Sequence, residues 1–328
     1  MGAKTASYFQ SRAHLHRRSG SFVMELIIKR HPLLRQALAG PRAIRRAWIG
    51  WREQSGDAIL QRMSEIVKDK IVFEAKEFGG IFSINPRSHL LHRFLRTGSY
   101  EPSVSQLFLS LVRPERDIID VGANIGFFTV AGAKKLTTGR LLAAEPTAGA
   151  FSHLCENVTR NEIADKVILF NGMIGAAKGQ ATIHFVPGLE EYSSMNNPEH
   201  FATRGKEIRT NTVPVERVDD LVERYGLRPA VMKVDVEGGE FSVFSGAQRT
   251  LSTYRPAVIS EIWCKPTKAD GHSGAELVRM FEKIDYVVRN PNDPGARPGL
   301  DLVGEIICIP KEQYDPSLLF GKNCLKST

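Results

Sequence analysis

The sequence predicts an α/β fold: a mostly parallel seven-stranded sheet with helices on both faces, plus a helical appendage at the N-terminus. Three observations carry this. From Asp117 onward, short apolar runs alternate with amphipathic stretches, the order a parallel sheet with helical crossovers requires. The first run closes in a glycine turn, Asp120-Val-Gly122-Ala-Asn124-Ile-Gly126, and passes directly into a helix-compatible segment. Later runs end in carboxylates, at Glu145, Asp235 and near Glu261, where open α/β sheets bind their ligands.

The chain begins with its charge. Residues 1–60 hold eleven Lys or Arg against three acids, which accounts for the whole net charge of +8. The other 268 residues are neutral in sum, so the basicity belongs to residues 1–56, read as a basic arm or helical cap. Phe22 to Ile28 and Ala43 to Trp51 read as short basic amphipathic helices. A cap or a loose arm is the favoured account, and weak association with a membrane surface is the other. Arg17-Arg18 lacks the apolar region of a twin-arginine signal, since Glu25, Lys29 and Arg30 interrupt it. No apolar run approaches the ~18 residues of a spanning helix. The expected location is cytoplasmic, free or peripheral at the inner membrane face. Four scattered cysteines without a C-x-x-C pair suit a reducing compartment.

Residues 57–110 read as a lead-in. Ile59 to Val67 is helix-like, and Ile71 to Lys76 with Gly80 to Ile84 alternate as a hairpin does. Glu101-Pro102 opens the apolar helix Val104 to Leu111. Glu101 reads most simply as a helix-start acid that satisfies the helix N-terminus. Residues 111–310 then form the sheet domain, and 311–328 a tail.

Ile118 to Val121 is the first sheet strand and Phe127 to Ala133 the first helix. Gly139 to Glu145, stopped by Pro146, is the second strand, and Ala150 to Asn161 its helix. Val167 to Asn171 is the third strand, followed by Gly172-Met173 at its tip. Ala181 to Val186 and Val213 to Val215 are strands flanking a polar run, Pro187 to Asn211. A connection of that length inside a domain suggests a lid or binding loop. It carries Tyr192, His200 and Arg204. Val218 to Tyr225 is a helix with Asp219 and Asp220 at its start. Ala230 to Asp235 is the fourth sheet strand, and Phe241, Phe244 and Leu251 at helical spacing belong to the core. Pro256 to Ile262, Tyr286 to Val288 and Asp301 to Pro310 complete the sheet, with the helix Gly274 to Ile284 between.

The glycine turn is informative for what it lacks. Ala123 and Asn124 stand where a dinucleotide fingerprint would have more glycine, and no Gly-Lys-Ser/Thr follows as in a P-loop. Asp120 at the strand end suits a cationic ligand without phosphate. S-adenosylmethionine, with its ammonium, sulfonium and ribose diol, fits. Glu145, at the tip of the second strand, is placed to accept both ribose hydroxyls, so Glu145→Ala should lower cofactor affinity and leave unliganded stability nearly unchanged. Met173 offers a surface for the adenine ring, with a core methionine as the plainer alternative.

Together with Val218-Asp219-Asp220-Leu221, Leu154 and Asn157, and Lys233-Val-Asp235-Val-Glu237-Gly238, these stretches resemble the FkbM family of S-adenosylmethionine-dependent methyltransferases. The likeness runs from about Asp117 to Tyr286, roughly half the chain. It departs at Val218, where the family usually has Leu. The resemblance implies a Rossmann-like class I methyltransferase fold and O-methyl transfer, often onto a sugar or polyketide hydroxyl. The cofactor-binding expectation covers Asp120, Gly122, Asn124, Gly126, Glu145 and Met173.

A hydroxyl acceptor must lose its proton as it attacks, and a positioned base is worth typically ~10²–10⁴-fold. Asp235 is the first candidate base and Glu237 the second. Asp235, Glu237 and Glu261 together are also a set that Mg²⁺ would suit; transfer without a metal is the favoured reading. N-methyl transfer on the same fold is the runner-up. A nucleic-acid-binding role for the basic arm is the weakest alternative, since the rest of the chain is neutral. No nucleic-acid partner is expected.

Overall fold

The computed structural model describes residues 67, 70–193, 205–262, 271–291, 298 and 304–315. The basic arm, the helix expected before Val67, His200, Arg204 and most of the expected tail lie outside the described residues. The chain divides into two compact units at Pro102/Ser103. Among the described residues no helix is long and apolar enough to cross a membrane.

In the first unit, β1 (Ile71–Ala75) and β2 (Gly80–Ile84) form an antiparallel hairpin, with Phe73 opposite Phe82. A 3₁₀ turn, Lys76–Phe78, closes on Gly79 in the left-handed conformation. Helix α1 (His89–Thr97), which the sequence reading did not foresee, is capped by Ser88, whose Oγ accepts the Leu90 N–H at 3.2 Å. Phe73, Phe78, Phe82 and Phe94 are buried together. Glu101 pairs with Arg93 at 3.5 Å.

The second unit is built on one sheet. After α2 (Pro102–Leu111) come β3 (Asp117–Val121), α3 (Phe127–Lys135), β4 (Leu141–Ala144), α4 (Ala148–Arg160) and β5 (Val167–Phe170). The chain leaves the sheet for β6 (Met173–Ile174), β7 (Gly179–Phe185) and β8 (Arg209–Glu216). It returns through α5 (Val218–Tyr225) to β9 (Pro229–Val234). Then follow α6 (Glu240–Ser245), α7 (Gln248–Tyr254), β10 (Ala257–Ile262), α8 (Gly274–Lys283), β11 (Tyr286–Arg289) and β12 (Gly304–Pro310). The seven sheet strands run in the order β11-β12-β10-β9-β3-β4-β5. β10, β9, β3, β4 and β5 are mutually parallel, and β12 runs antiparallel to both its neighbours.

Every residue of β3, β4 and β9 is buried, as expected of apolar runs covered on both faces. α3 is buried from Phe127 to Ala133, so it reads as apolar on all sides rather than amphipathic. Its Gly132 lets it lie close on β3 and β4: an added Cβ would stand 3.0 Å from Ile118 and 3.1 Å from Leu141.

Buried polar side chains tie the frame together. Asp117 accepts the Arg140 N–H at 2.7 Å and the Arg228 N–H, pinning the start of β3 to both flanking segments. The Asp219-Asp220 pair divides its work. Asp219 caps α7, accepting from Arg249 N, Thr250 N and Thr250 Oγ1 at 3.0, 2.8 and 2.7 Å. Asp220 takes Arg217 in a two-pronged ion pair.

The polar-run flanks are longer than expected. β7 and β8 form an antiparallel ribbon from Gly179↔Val215 to Phe185↔Arg209. Much of β8 is exposed, so its residues carry little of the apolar signal that marks a strand. Phe244 and Leu251 lie in the core as expected, but on two helices parted at Gly246, whose Cα packs against the Gly175 carbonyl. Phe241 is half-buried and stacks on His272 at 3.6 Å between ring centres.

Candidate active site

The carboxyl ends of β3, β4 and β9 meet around the glycine turn. Gly122, Asn124 and Gly126 all have positive φ, at 78°, 51° and 92°. Asparagine is among the side chains that tolerate this backbone best. The Gly122 and Ala123 N–H groups both donate to the Ala144 carbonyl at 3.0 Å, hanging the turn on the tip of β4. A Cβ on Gly122 would stand 1.8 Å from the Asp235 carbonyl oxygen, and one on Gly126 would stand 2.6 Å from Leu154 Cδ1. The space at Gly122 is therefore filled by the protein's own backbone, where the sequence alone suggested a ligand. From α4, Asn157 Nδ2 donates to the Ile125 carbonyl at 2.8 Å. Leu154 and Asn157 thus brace the turn from behind. The N-cap of α3 is Gly126, which brings no side chain of its own to the first turn of the helix.

Glu145 is buried, and three donors hold it. Oε1 accepts from Thr147 N at 2.8 Å and Thr147 Oγ1 at 2.5 Å, and Oε2 accepts the Asn124 N–H at 3.0 Å. A carboxylate offers about four acceptor positions. One remains, on Oε2, enough for a single further hydroxyl rather than the two the sequence suggested. Burial pushes the Glu145 carboxyl up to about 7, against the pull of these donors and with help from the charge of Glu190. Glu190 roots the polar run beside α4: its Oε1 accepts the Gly188 N–H at 2.9 Å and lies 2.5 Å from where a Cβ on Gly149 would stand.

A buried charge chain crosses from β3 to β9. Asp120 and Lys233 are register partners on these parallel strands, so both side chains leave the same face of the sheet. Asp120 Oδ2 accepts from Thr129 Oγ1 at 2.7 Å, and its buried Oδ1 has no hydrogen-bond partner among the described residues. Burial raises the Asp120 carboxyl, opposed chiefly by the nearby Lys233 ammonium. Lys233 Nζ donates to Asp235 Oδ2 at 3.0 Å and lies 4.5 Å over the Phe128 ring. The Lys233 side chain is 5% exposed and that of Asp235 32%. Asp235 thus has one oxygen fixed from inside and an open side.

The turn after Asp235 is held from within. Glu237 has φ 54° and Gly238 φ 98°. Buried Glu240 Oε1 accepts the Val236 and Gly238 N–H groups, both at 3.2 Å. Burial pushes Glu240 up to about 7, with the Asp235 charge adding to the rise. Glu261 lies across from Glu305 in the β10–β12 pairing. Among the described residues no group of three or more His, Cys, Asp or Glu is placed to hold a metal ion. Met173, half-buried on β6, pairs with Val215.

The structure brings Asp120, Gly122, Asn124, Gly126, Glu145 and Asp235 to one edge of the sheet. Sequence reasoning gave Lys233 no role. Its signal was a lone cation inside an apolar strand, two residues before a carboxylate. Glu240 was also passed over, because nothing in its spacing distinguishes a buried brace from a solvated helix-start acid.

A family model described as the methyltransferase FkbM domain matches residues 120–288. The methyltransferase sdnD of Sordaria araneosa is 26% identical over 170 residues, 44% of this chain and 66% of that protein. The ribosomal protein L11 methyltransferase of Chloroflexus aurantiacus is 39% identical over 80 residues, 24% of this chain and 23% of that protein. The chain thus spans just under two thirds of the first relative and about a quarter of the second. Among solved structures, the methyltransferase FkbM of Methylobacillus flagellatus KT aligns with 16% identity and a TM-score of 0.38, covering 67% of this chain and 53% of that one.

Proposed function

The chain belongs to the FkbM methyltransferase family, and on that premise we propose that it is an O-methyltransferase. It takes its methyl group from S-adenosylmethionine and places it on a hydroxyl of a sugar, glycan, lipid-linked sugar or polyketide. The observation that carries this reading is the abutment of two strand-end turns: the Cα of Gly122 lies against the carbonyl of Asp235. A candidate base thereby stands beside a candidate cofactor cradle.

The residues present fit the cofactor. The positive-φ turn from Gly122 to Gly126, its N–H groups held by the Ala144 carbonyl, Ala123 and Glu145, is a pre-shaped backbone cradle at the start of α3. Glu145 Oε2 has acceptor capacity for one ribose hydroxyl, and Met173 would meet the adenine ring. The orphaned Asp120 Oδ1 suits the cationic end, directly or through water. S-adenosylmethionine, when bound, supplies a methyl carbon on a positively charged sulfur, open to in-line displacement. The protein's part is to orient the acceptor and take its proton. Asp235, half-exposed and fixed through Oδ2, takes the hydroxyl proton on Oδ1 and passes it to solvent. Glu237, in the turn beyond, is the second candidate.

The test is gene deletion followed by mass spectrometry of glycan and lipid extracts, with complementation by wild type or Asp235→Asn. We expect a gene-dependent methyl ether with wild type, and loss by about two orders of magnitude with the variant. Calorimetric titration of the purified variant with S-adenosylmethionine should give nearly wild-type affinity. Full product with Asp235→Asn would remove the base assignment, and a methylated amine in place of an ether would shift the acceptor class.

A further inference from the structure

We infer that Lys233 is a positioning residue for methyl transfer: it holds Asp235 Oδ2 so that Oδ1 faces the acceptor, and it links that geometry to the first turn of α3. This inference rests on the function proposed above. Four contacts carry it. Lys233 is paired in register with Asp120, is 3.0 Å from Asp235 Oδ2, and lies over the Phe128 ring. Thr129, beside Phe128 on α3, fixes Asp120 through its hydroxyl. The ammonium is thus confined by β3, β9 and α3 at once, and the only partly exposed member of the set is Asp235.

A lysine in this position is not explained by stability. Burying an ion pair is often no better for folding than an apolar residue of similar volume. Here the cation touches the first candidate base, Asp235, and the α3 turn that contacts it begins at Gly126 of the glycine turn. A purely structural lysine would be replaceable by methionine without harm to chemistry. A positioning lysine would not, and a neutral donor would replace it in part.

The experiment uses the full-length chain with Lys233→Met, Lys233→Gln, Asp235→Asn and the Asp235→Asn pairings of both. Each is expressed in cells lacking the gene, methyl ethers are measured in glycan and lipid extracts, and each purified protein is titrated with S-adenosylmethionine. Lys233→Met should lower product about tenfold or more with cofactor affinity held within about threefold. Lys233→Gln, which keeps a donor for Oδ2, should restore most of the loss. In the Asp235→Asn background neither should add a further loss, because the base that Lys233 positions is gone. Wild-type product with Lys233→Met, equal losses with Met and Gln, or additive losses with Asp235→Asn would each overturn the inference. If Lys233→Met does not accumulate, the glutamine pair decides alone: a loss of the same size in both backgrounds overturns it. Absence of any gene-dependent methyl group with wild type would overturn the proposed function, and this inference with it. Failure of the variants alone leaves that function standing.

Discussion

The turns after β3 and β9 are neighbours of similar design, and they differ in what holds them. Both leave parallel strands through residues with positive φ, and in both a buried glutamate accepts backbone N–H groups. The brace of the first, Glu145, comes from the next strand, and α4 supports the turn further through Leu154 and Asn157. The brace of the second, Glu240, lies within the same short segment as the N–H groups it holds. The first turn also has no spare volume at Gly122, whereas at Gly239 the nearest atom to an added Cβ is 3.6 Å away. A cradle fixed by three elements keeps its shape before a ligand arrives. The second turn is braced locally by Glu240, while Asp235 at its start is tied to β3 through its N–H on the Val121 carbonyl and to Lys233 through Oδ2.

The largest test of this contrast is Gly122→Ala. The added methyl meets backbone that cannot turn aside, and its φ of 78° disfavours any side chain. Strain and overpacking together predict a loss of about 4 kcal/mol, or no folded protein. A urea midpoint close to wild type would show that the two strand ends part easily. Such a variant no longer reports on cofactor contact alone.

Glu145→Ala comes next. The expectation that unliganded stability barely moves does not fit a carboxylate holding Asn124 N, Thr147 N and Thr147 Oγ1. Leaving these donors without an acceptor should cost about 3 kcal/mol in the absence of ligand, and calorimetry should show weaker S-adenosylmethionine binding as well. Loss of binding with unchanged melting would return Glu145 to a purely ligand-facing role.

The smallest effect separates the turns by pH. Glu145 and Glu240 are both pushed from the ordinary 4.5 up to about 7, first by burial. An acid that holds its proton more tightly when folded stabilises fully below about 4.5 and loses that contribution as pH rises through about 7. Between these values both glutamates should therefore make stability fall. Glu240→Gln keeps an acceptor for Val236 and Gly238 without the charge. It should flatten part of that fall and gain about 1 kcal/mol above neutrality, read as urea midpoints at about pH 5 and about pH 8. An unchanged slope would mean that water reaches Glu240 more freely than its burial implies.

How much of this was legible depended on whether a residue's role was local. The strands expected at Ile118 to Val121 and Ala230 to Asp235 and the helix at Val218 announce themselves through apolar runs and spacing, and the structure has them there. The second strand runs from Pro229 to Val234, so that Asp235 falls just beyond it. Glycines at 122 and 126 signalled a tight turn, but their neighbours, Asp235 and Leu154, are distant in the chain. No spacing rule joins those positions. Glu145 was found by its place at a strand tip, while its three donors were not, because two of them belong to Thr147 beyond Pro146. Asp219 read as a helix-start acid for α5, yet it caps α7, which only the packing of the two helices could reveal. α1 was missed although Ser88 caps it, since its run of His, Arg and Leu lies against a hairpin already assigned.

Strand β12 lies between β10 and β11, although it is the last of the three to be made. During synthesis on the ribosome, Ala257–Ile262 emerges well before Gly304–Pro310. Until then the outer edge of β10 has backbone groups without partners, and β11 has no strand beside it. A long-range pairing of this kind is slow to form, and an uncovered apolar edge is a template for other chains. The order of strands thus leaves the nascent sheet open at one side until its final segment arrives, and a chain interrupted before residue 304 would keep that adhesive edge permanently.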